Sequence, residues 1–263
     1  MKFGMPTLVE CENIRQCALV AEKYGLDFIE VNMSFPVYQP KMADVNEYLE
    51  LSKEKGIFYT IHADEQLNPF DFNPFVADCY FKVMEECIEF AKKIGAPVIN
   101  MHLLKGVYVT LPEKVILLTD VYKSEYLKRV KDFIAMCEKT VGDSKIKIAI
   151  ENVDSNPFTE SQTEALEYFM KSPVFALTLD VGHDDCLNGK DRHVFEKYPE
   201  KLVHMHLHDS DGKHAHLPLG EGKVEIDKKL ALLPCDKTCL VEVKTVAGLE
   251  KSVKYLKNRK VTL

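Results

Sequence analysis

The chain has 263 residues, a length at which one α/β or barrel domain is common. Hydrophobic residues make up 46% and charged residues 29%, proportions that exclude a disordered or fibrous protein. The formal net charge of −7 lacks the basic excess of a dedicated nucleic-acid binder. The N-terminus carries no apolar targeting segment, and no stretch of the sequence is long and apolar enough to cross a bilayer. We therefore expect a cytoplasmic protein with no membrane partner.

Short β-rich runs alternate with amphipathic helical patterns along the whole chain. Eight strands are predicted, at Lys2–Thr7, Phe28–Met33, Phe58–Ala63, Val98–Leu103, Lys147–Val153, Phe175–Gly182, Leu202–Asp209 and Cys239–Lys244. Helical patterns occur at Ile14–Tyr24, Val45–Lys55, Val76–Ile94, Glu125–Val141, Glu164–Met170, Glu225–Leu233 and Leu249–Lys257, with a weaker one at Val194–Tyr198. Gly25, Gly56 and Gly95 stand just past three of these helices, where a left-handed C-cap is required.

The alternation predicts a single domain, residues 1–263, folded as a (β/α)₈ TIM barrel of the α/β class. Continuous apolar runs such as Ile146–Ile150 and Ala176–Leu179 indicate strands that are buried on both faces, as in parallel sheets. Eight strand–helix units close a barrel more naturally than they form an open sheet. The alternative is a doubly wound sheet, but no Gly-x-Gly-x-x-Gly follows the first strand to support it.

The eight cysteines are scattered through the helical patterns, and none forms a Cys-x-x-Cys pair. In a chain of this length, buried reduced thiols are more common than a disulfide framework or a structural zinc site. We therefore expect them to be free.

The ends of the predicted strands carry residue types that bind metals, and in a (β/α)₈ barrel these ends hold the chemistry. These side chains are Glu30, Asn32, His62, His102, Glu151, Asp180, His183, His204, His206, His208, Glu242 and Lys244. The loop after the seventh strand adds His214 and His216. A mixture of imidazoles and carboxylates suits zinc or manganese better than calcium or magnesium.

Each of these residues also has a purely structural interpretation, because a single buried histidine is more often hydrogen-bonded than a ligand. His193 is expected at the surface, and His204 deeper in the barrel as a packed supporting group. His208 fits either a supporting role or a substrate contact, and Glu30 and Asn32 fit either satisfied polar residues or substrate-binding ones. The pattern as a whole favours metal, because burying so many ionisable groups without a cation costs several kcal/mol apiece.

The chain resembles the xylose isomerase-like TIM barrels, which include the endonuclease IV phosphodiesterases of AP endonuclease family 2, sugar epimerases and inosose dehydratases. The resemblance covers nearly the whole length. Its most specific parts are Glu151-Asn152, Asp180-Val181-Gly182-His183, His206-Leu207-His208-Asp209, His216-Leu217-Pro218-Leu219-Gly220-Glu221-Gly222 and Leu240-Val241-Glu242-Val243-Lys244.

The resemblance implies a centre of one to three divalent ions, zinc or manganese. Its shared metal would be held by four ligands, Glu151, Asp180, His206 and Glu242. The nuclease branch holds a second ion on residues that match His62, His102 and Glu151, and a third on residues that match His183, His214 and His216. The family has Asp at the position of His214. The histidine in this chain therefore removes a negative charge from the third metal position. In epimerase relatives the residue that matches His183 contacts the substrate instead.

The first functional hypothesis is a metal-dependent isomerase, epimerase or dehydratase acting on a small sugar, polyol or sugar phosphate. The cation would acidify a carbon-bound hydrogen, and Glu151 and Glu242 would exchange the proton as base and acid. His183 would bind a substrate oxygen. Glu30, Asn32, His208 and Lys244 are the remaining substrate-binding candidates.

The second hypothesis is a multi-zinc phosphodiesterase of the endonuclease IV type, and the third is a non-catalytic metal or sugar binder. The acidic charge argues against the second, since Asp64–Asn73 and Pro112–Tyr122 carry little positive charge to neutralise phosphates. The sequence therefore favours a small carbohydrate-like partner over nucleic acid, and leaves a homo-oligomer open.

Overall fold

The computed structural model describes residues 1–259 and residue 261. Its strands are β1 Lys2–Pro6, β2 Phe28–Asn32, β3 Phe58–His62, β4 Val98–His102, β5 Tyr108–Thr110, β6 Val115–Leu117, β7 Lys147–Glu151, β8 Phe175–Asp180, β9 Leu202–Leu207 and β10 Thr238–Val241. Its α-helices are α1 Ile14–Tyr24, α2 Val45–Lys55, α3 Pro74–Ile94, α4 Leu118–Val121, α5 Lys123–Val141, α6 Glu160–Lys171, α7 Val181–Cys186, α8 Arg192–Lys197, α9 Ile226–Leu230 and α10 Val246–Asn258. Two short 3-10 helices occupy Pro36–Tyr38 and Pro199–Lys201.

Eight of the strands close into a parallel barrel in the order β1-β10-β9-β8-β7-β4-β3-β2. Parallel neighbours require helical crossovers, and the longer helices supply them on the outside of the barrel. All eight predicted strands belong to the barrel, so the predicted (β/α)₈ fold is confirmed. Among the described residues, no helix combines the length and the apolar character needed to span a bilayer.

Three helices end in the left-handed turns that the sequence indicates. Gly25, Gly56 and Gly95 have φ angles of +75°, +67° and +71°, a region that glycine enters without a steric penalty. At the other end of α1, the Asn13 side chain accepts a hydrogen bond from the backbone N–H of Gln16 at 3.0 Å. These caps set the helix ends before tertiary packing acts.

All eight barrel strands end one to three residues earlier than predicted. The strand predicted at Phe175–Gly182 stops at Asp180, because the Asp180 carboxylate accepts the backbone N–H of His183 at 2.7 Å and starts helix α7 at once. The strand predicted at Cys239–Lys244 stops at Val241. His183 and Glu242 therefore lie just beyond regular strand, whereas Asp180 is the last residue of β8.

The β5–β6 hairpin is absent from the sequence-based prediction. It pairs Tyr108 with Leu117 in a separate antiparallel ribbon after β4. The stretch carries no turn dipeptide of the Asn-Gly or Asp-Gly type, so the usual short-range hairpin signal is missing. Its strands are exposed to partly exposed, and most of its apolar side chains face solvent.

Aromatic side chains fill the barrel floor below the polar strand ends. The rings of Phe28 and Phe58 stack at 5.2 Å, and Phe28 lies 5.9 Å from the ring of His204. Gly4 faces the ring of Phe28, and a Cβ atom on Gly4 would come within 2.4 Å of that ring.

The eight cysteines are free, as predicted, and five of them, Cys11, Cys17, Cys87, Cys137 and Cys239, are buried.

Candidate metal centre

Glu151, Asp180, His206 and Glu242 converge at the C-terminal end of the barrel strands. One potential ligand atom from each lies within 4.8 Å of the others. Nδ1 of His206 is 3.1 Å from Oε1 of Glu151 and 3.1 Å from Oε2 of Glu242. All four side chains are buried, with residue exposures of 1%, 0%, 0% and 8% in chain order.

Strand register explains why several of these side chains share one face of the sheet. Asp180 on β8 pairs with His206 on β9, and Leu240 on β10 pairs with the same histidine. Glu242 follows Leu240 by two residues, so the alternation of side chains brings it to the same face. The sequence predicted this convergence, and the register explains it.

Three carboxylates buried this closely repel one another unless positive charge lies among them. Burial alone would raise the pKa of Glu151, but His206 and His102 outweigh it and hold that pKa well below its ordinary value. Burial likewise opposes ionisation of Glu242, yet His206 and Lys244 keep its pKa well below the ordinary value. Ionised carboxylates around an imidazole nitrogen are a donor set that fits a divalent cation.

Glu30 and His204 lie immediately beneath His206. Oε1 of Glu30 is 2.9 Å from Nε2 of His206, and Oε2 is 3.0 Å from Nε2 of His204. Both are close charge contacts rather than aligned hydrogen bonds. Thr60 donates its hydroxyl to Glu30 at 2.7 Å. Glu30 thus places a buried negative charge directly beside both imidazole rings. His204 is fully buried, in the deeper position that was expected for it.

A second group combines His62, His102 and Glu151. The Nε2 atoms of both histidines lie 3.5 Å from Oε2 of Glu151. Nδ1 of His62 is 2.8 Å from the carbonyl oxygen of Ala63, which fixes a ring hydrogen there and turns Nε2 toward Glu151. Glu151 therefore turns one oxygen to each group.

A third group combines His183, His208 and His216. Nδ1 of His183 lies 3.1 Å from the carbonyl oxygen of Asn152. Burial lowers the pKa of His216 to about 4, so its ring is neutral near pH 7. Nε2 of His208 lies 2.9 Å from both oxygens of the Asp180 carboxylate.

His214 does not join these groups among the described residues. Its side chain is 74% exposed and contacts Asp211 through Nδ1 at 2.8 Å. His216, two residues later, does reach the site because its backbone adopts a left-handed φ of +59°. His193 is exposed on α8, where the sequence predicted a surface residue.

Asn32 and Lys244 stand at the rim of the site. Asn32 donates its side-chain amide to Glu65 at 2.9 Å. Lys244 donates to Oε1 of Glu242 at 2.7 Å, so its charge is paired with a candidate metal ligand.

A cavity of about 520 Å³ opens above the centre and is contacted by Glu151, Glu242, His62, His102, His183 and His216. A second lobe of about 350 Å³ extends toward β1 and β2, past Glu30, Asn32 and Phe35. The volume suits a small molecule. Within the described residues, the lysines along these walls are Lys105 and Lys244, and no arginine lines either lobe.

The sequence profile of the xylose isomerase-like TIM barrels matches residues 18–259 of this chain. The chain belongs to this family. An uncharacterized protein of Methanocaldococcus jannaschii is 25% identical over 221 residues, which is 82% of each chain.

Solved structures of other proteins superpose on nearly the whole length of this chain. A D-tagatose 3-epimerase-like protein has a TM-score of 0.77 at 24% identity, with 100% of both chains covered. A 3-keto-D-glucoside 4-epimerase from E. coli has a TM-score of 0.78 at 16% identity, again with 100% of both chains covered. The IolI protein, determined with a bound zinc atom, has a TM-score of 0.74 at 18% identity, and covers 99% of this chain and 97% of its own. At these identities the similarity establishes the shared fold.

Two asparagines absent from the predicted site residues support the ligands of this family member. Asn100 donates its amide to Oε2 of Glu151. Asn152 exchanges two 2.9 Å hydrogen bonds with the backbone N–H and carbonyl of Asp180. Asn100 precedes His102 by two residues in β4, so the period of two could have found it, whereas the role of Asn152 depends on contact with the next strand.

The loop between β3 and α3 places an aromatic side chain in the core and polar side chains at the cavity. Phe70 packs into the core at 5.4 Å from the ring of Phe133. Its polar neighbours Gln66, Asn68 and Asp71 line the cavity instead. The loop is thus anchored by an aromatic residue and presents hydrogen-bonding groups to a ligand.

Proposed function

We propose that this chain is a divalent-metal-dependent isomerase or epimerase that acts on a small uncharged sugar or polyol derivative. The observation that carries the proposal is the buried group of Glu151, Asp180, His206 and Glu242 at the floor of a cavity of about 520 Å³. The epimerases among the similar structures support the same class of reaction.

The proposed metal ligands are Glu151, Asp180, His206 and Glu242. Zinc is the first candidate because one similar structure carries a zinc atom, and manganese is the second because carboxylates dominate the donor set. When bound, such a cation supplies positive charge beside a substrate carbonyl and acidifies the neighbouring C–H group.

Glu151 and Glu242 are the proposed acid–base pair. Glu151 ends strand β7 and Glu242 follows strand β10. These strands are separated by β8 and β9, so the two carboxylates approach the centre from different sides. One carboxylate removes the hydrogen as a proton while the C–H electron pair moves into the adjacent carbonyl group. The other carboxylate first takes up a proton, from Lys244 or from solvent, and then returns it to carbon. Lys244 holds a proton within 2.7 Å of Glu242 for this exchange.

The substrate is proposed to be uncharged because the cavity walls carry little free positive charge. Lys244 is paired with Glu242, and Lys105 lies over the ring of Tyr108 at 4.8 Å. Glu65, Asp71 and Asp154 add negative charge to the same walls. A phosphate group would meet repulsion there, whereas the hydroxyl groups of a sugar can donate hydrogen bonds to these carboxylates.

A phosphodiesterase of the multi-zinc type is the second candidate, favoured by the group of His62, His102 and Glu151. That group provides two imidazole nitrogens and a shared carboxylate, as a second cation requires. The acidic walls and the lack of arginine among the described lining residues oppose a polyanionic substrate.

The test is exchange of solvent deuterium into substrate. The zinc- and manganese-loaded protein is incubated in D₂O with a panel of ketoses, aldoses and inososes, and C–H positions are followed by NMR. We expect exchange at a carbon next to a carbonyl, and none with Glu151→Gln. Cleavage of abasic-site DNA or of bis-p-nitrophenyl phosphate, without exchange into any sugar, would overturn the proposal in favour of the second candidate.

A further inference from the structure

Both ring nitrogens of His208 form hydrogen bonds next to the candidate metal centre. Nε2 lies 2.9 Å from the carboxylate of Asp180, and Nδ1 lies 2.8 Å from the backbone nitrogen of His216. The ring is fully buried, with 0% of the residue exposed. His208 is not among the described residues that line either lobe of the cavity.

The two contacts define where the ring hydrogen resides. The backbone N–H of His216 can only donate, so Nδ1 of His208 accepts and its hydrogen sits on Nε2. The alternative acceptor for an Nδ1 hydrogen, the carbonyl oxygen of Asp209, is farther away at 3.2 Å. Nε2–H therefore donates to Asp180.

The close approach of Gly182 also restricts the position of the His208 ring. A Cβ atom on Gly182 would come within 2.0 Å of Cε1 and 2.2 Å of Nδ1 of His208. Any larger residue at position 182 would displace the ring, so the glycine leaves the space that the imidazole fills.

The donor to Nδ1 is presented by an ordered loop. His216 has a φ of +59°, a conformation that residues other than glycine rarely adopt and that surrounding structure must impose. Asp209 imposes order on this loop, because its two carboxylate oxygens accept the backbone N–H groups of Gly220 and Val224, both at 2.9 Å.

We propose that His208 is a positioning residue: it orients the Asp180 carboxylate toward the metal, and the backbone N–H of His216 sets its tautomer. The loop that carries His216 therefore influences the geometry of the metal centre through this backbone hydrogen bond. The N–H group itself is not a metal ligand. This inference rests on the proposed function, since it takes Asp180 to be a metal ligand.

Two substitutions separate the two contacts of His208. His208→Gln keeps an N–H donor at the position of Nε2, and His208→Asn keeps an acceptor at the position of Nδ1 but loses the donor to Asp180. We expect His208→Asn to lower zinc affinity on the order of 10- to 100-fold, as loss of outer-shell partners does, and His208→Gln to retain it within about threefold. His193→Asn, at an exposed histidine, is the matched control and should bind zinc as the unchanged protein does.

Zinc affinity is measured by competition with a chromophoric chelator, and the geometry of the centre by the visible spectrum of the cobalt-substituted protein. A merely structural residue would change thermal stability and leave the cobalt bands in place, whereas a positioning residue shifts them. If His208→Asn binds zinc with unchanged affinity and an unchanged cobalt spectrum, the positioning role is wrong. If the unchanged protein binds no metal, the proposed function fails instead.

The tautomer is tested in the unchanged protein, so the inference survives a variant that does not fold. Long-range ¹H–¹⁵N correlation spectra distinguish protonated from bare ring nitrogens. We expect a slowly exchanging Nε2–H and a bare Nδ1 for His208. Hydrogen on Nδ1 with a bare Nε2 would overturn the inference, because no donor would then face Asp180.

Discussion

Oε2 of Glu242 lies 3.1 Å from Nδ1 of His206, yet it takes part in no hydrogen bond within the described part of the chain. A buried carboxylate oxygen is rarely left in this state, because an unpaired one costs about 1–3 kcal/mol or more. A cation between the two atoms would satisfy both. The relationship therefore gives the centre its first test.

Glu242→Gln should lower zinc affinity by more than about 100-fold, beyond the roughly 10- to 100-fold loss typical of outer-shell partners. The metal-free variant should unfold at the same or a higher temperature than the metal-free parent, because one of three repelling carboxylates is gone. Isothermal titration with zinc and thermal melts measure both quantities. Glu221→Gln, at a surface carboxylate paired with Lys251, serves as the control. Unchanged zinc affinity in Glu242→Gln would remove Glu242 from the ligand set.

Much of this centre could be predicted from the sequence, because the period of two along each strand decides which side chains face the barrel axis. That rule places His204 and His206 on one face, and it places Glu242 on the same face as Leu240, which pairs with His206. The same rule does not predict the conformation of the loop after β9. The path of that loop depends on backbone N–H groups that bind Asp209 and on the left-handed turn at His216, which together leave His214 in solvent. Tertiary contacts of this kind leave no periodic signal in the chain.

Substitution of His214 and of His102 should affect the zinc content of the protein differently. His214→Ala should leave the number of bound zinc ions unchanged, because its side chain is 74% exposed and lies outside the candidate groups. His102→Ala should lower the number by one if the group with His62 and Glu151 holds an ion, since Nε2 of His102 lies 3.5 Å from Glu151. Elemental analysis after dialysis against zinc checks both variants. Loss of zinc in His214→Ala alone would show that His214 is a ligand.

Metal removal should destabilise the protein. A ligand that binds only the folded state at 100 times its Kd adds about 2.7 kcal/mol to the free energy of unfolding. In a chain of this size that raises Tm by roughly 5 to 10 °C. Melts of the chelator-treated protein with and without added zinc measure the shift, and Glu151→Gln should lose most of it. An equal Tm in both samples would contradict a specific site.

Thiol reactivity should follow burial at neutral to mildly alkaline pH. Burial raises the pKa of Cys87 to about 12, so this thiol stays protonated below that pH and lacks the reactive thiolate. Cys79 and Cys235 are exposed and should be alkylated first by iodoacetamide at pH 8, with Cys186 slower because burial raises its pKa. Peptide mass mapping before and after unfolding reports the order. Rapid labelling of Cys87 in the folded protein would show that the packing around α3 is looser than described.

The most direct measurement is anomalous scattering from zinc- and manganese-soaked crystals, recorded at the absorption edge of each metal. The account predicts a strong peak bounded by Glu151, Asp180, His206 and Glu242, with ligand distances near 2.0–2.2 Å. A map without a peak among those four side chains, in which they bind only one another and water, would contradict the central claim.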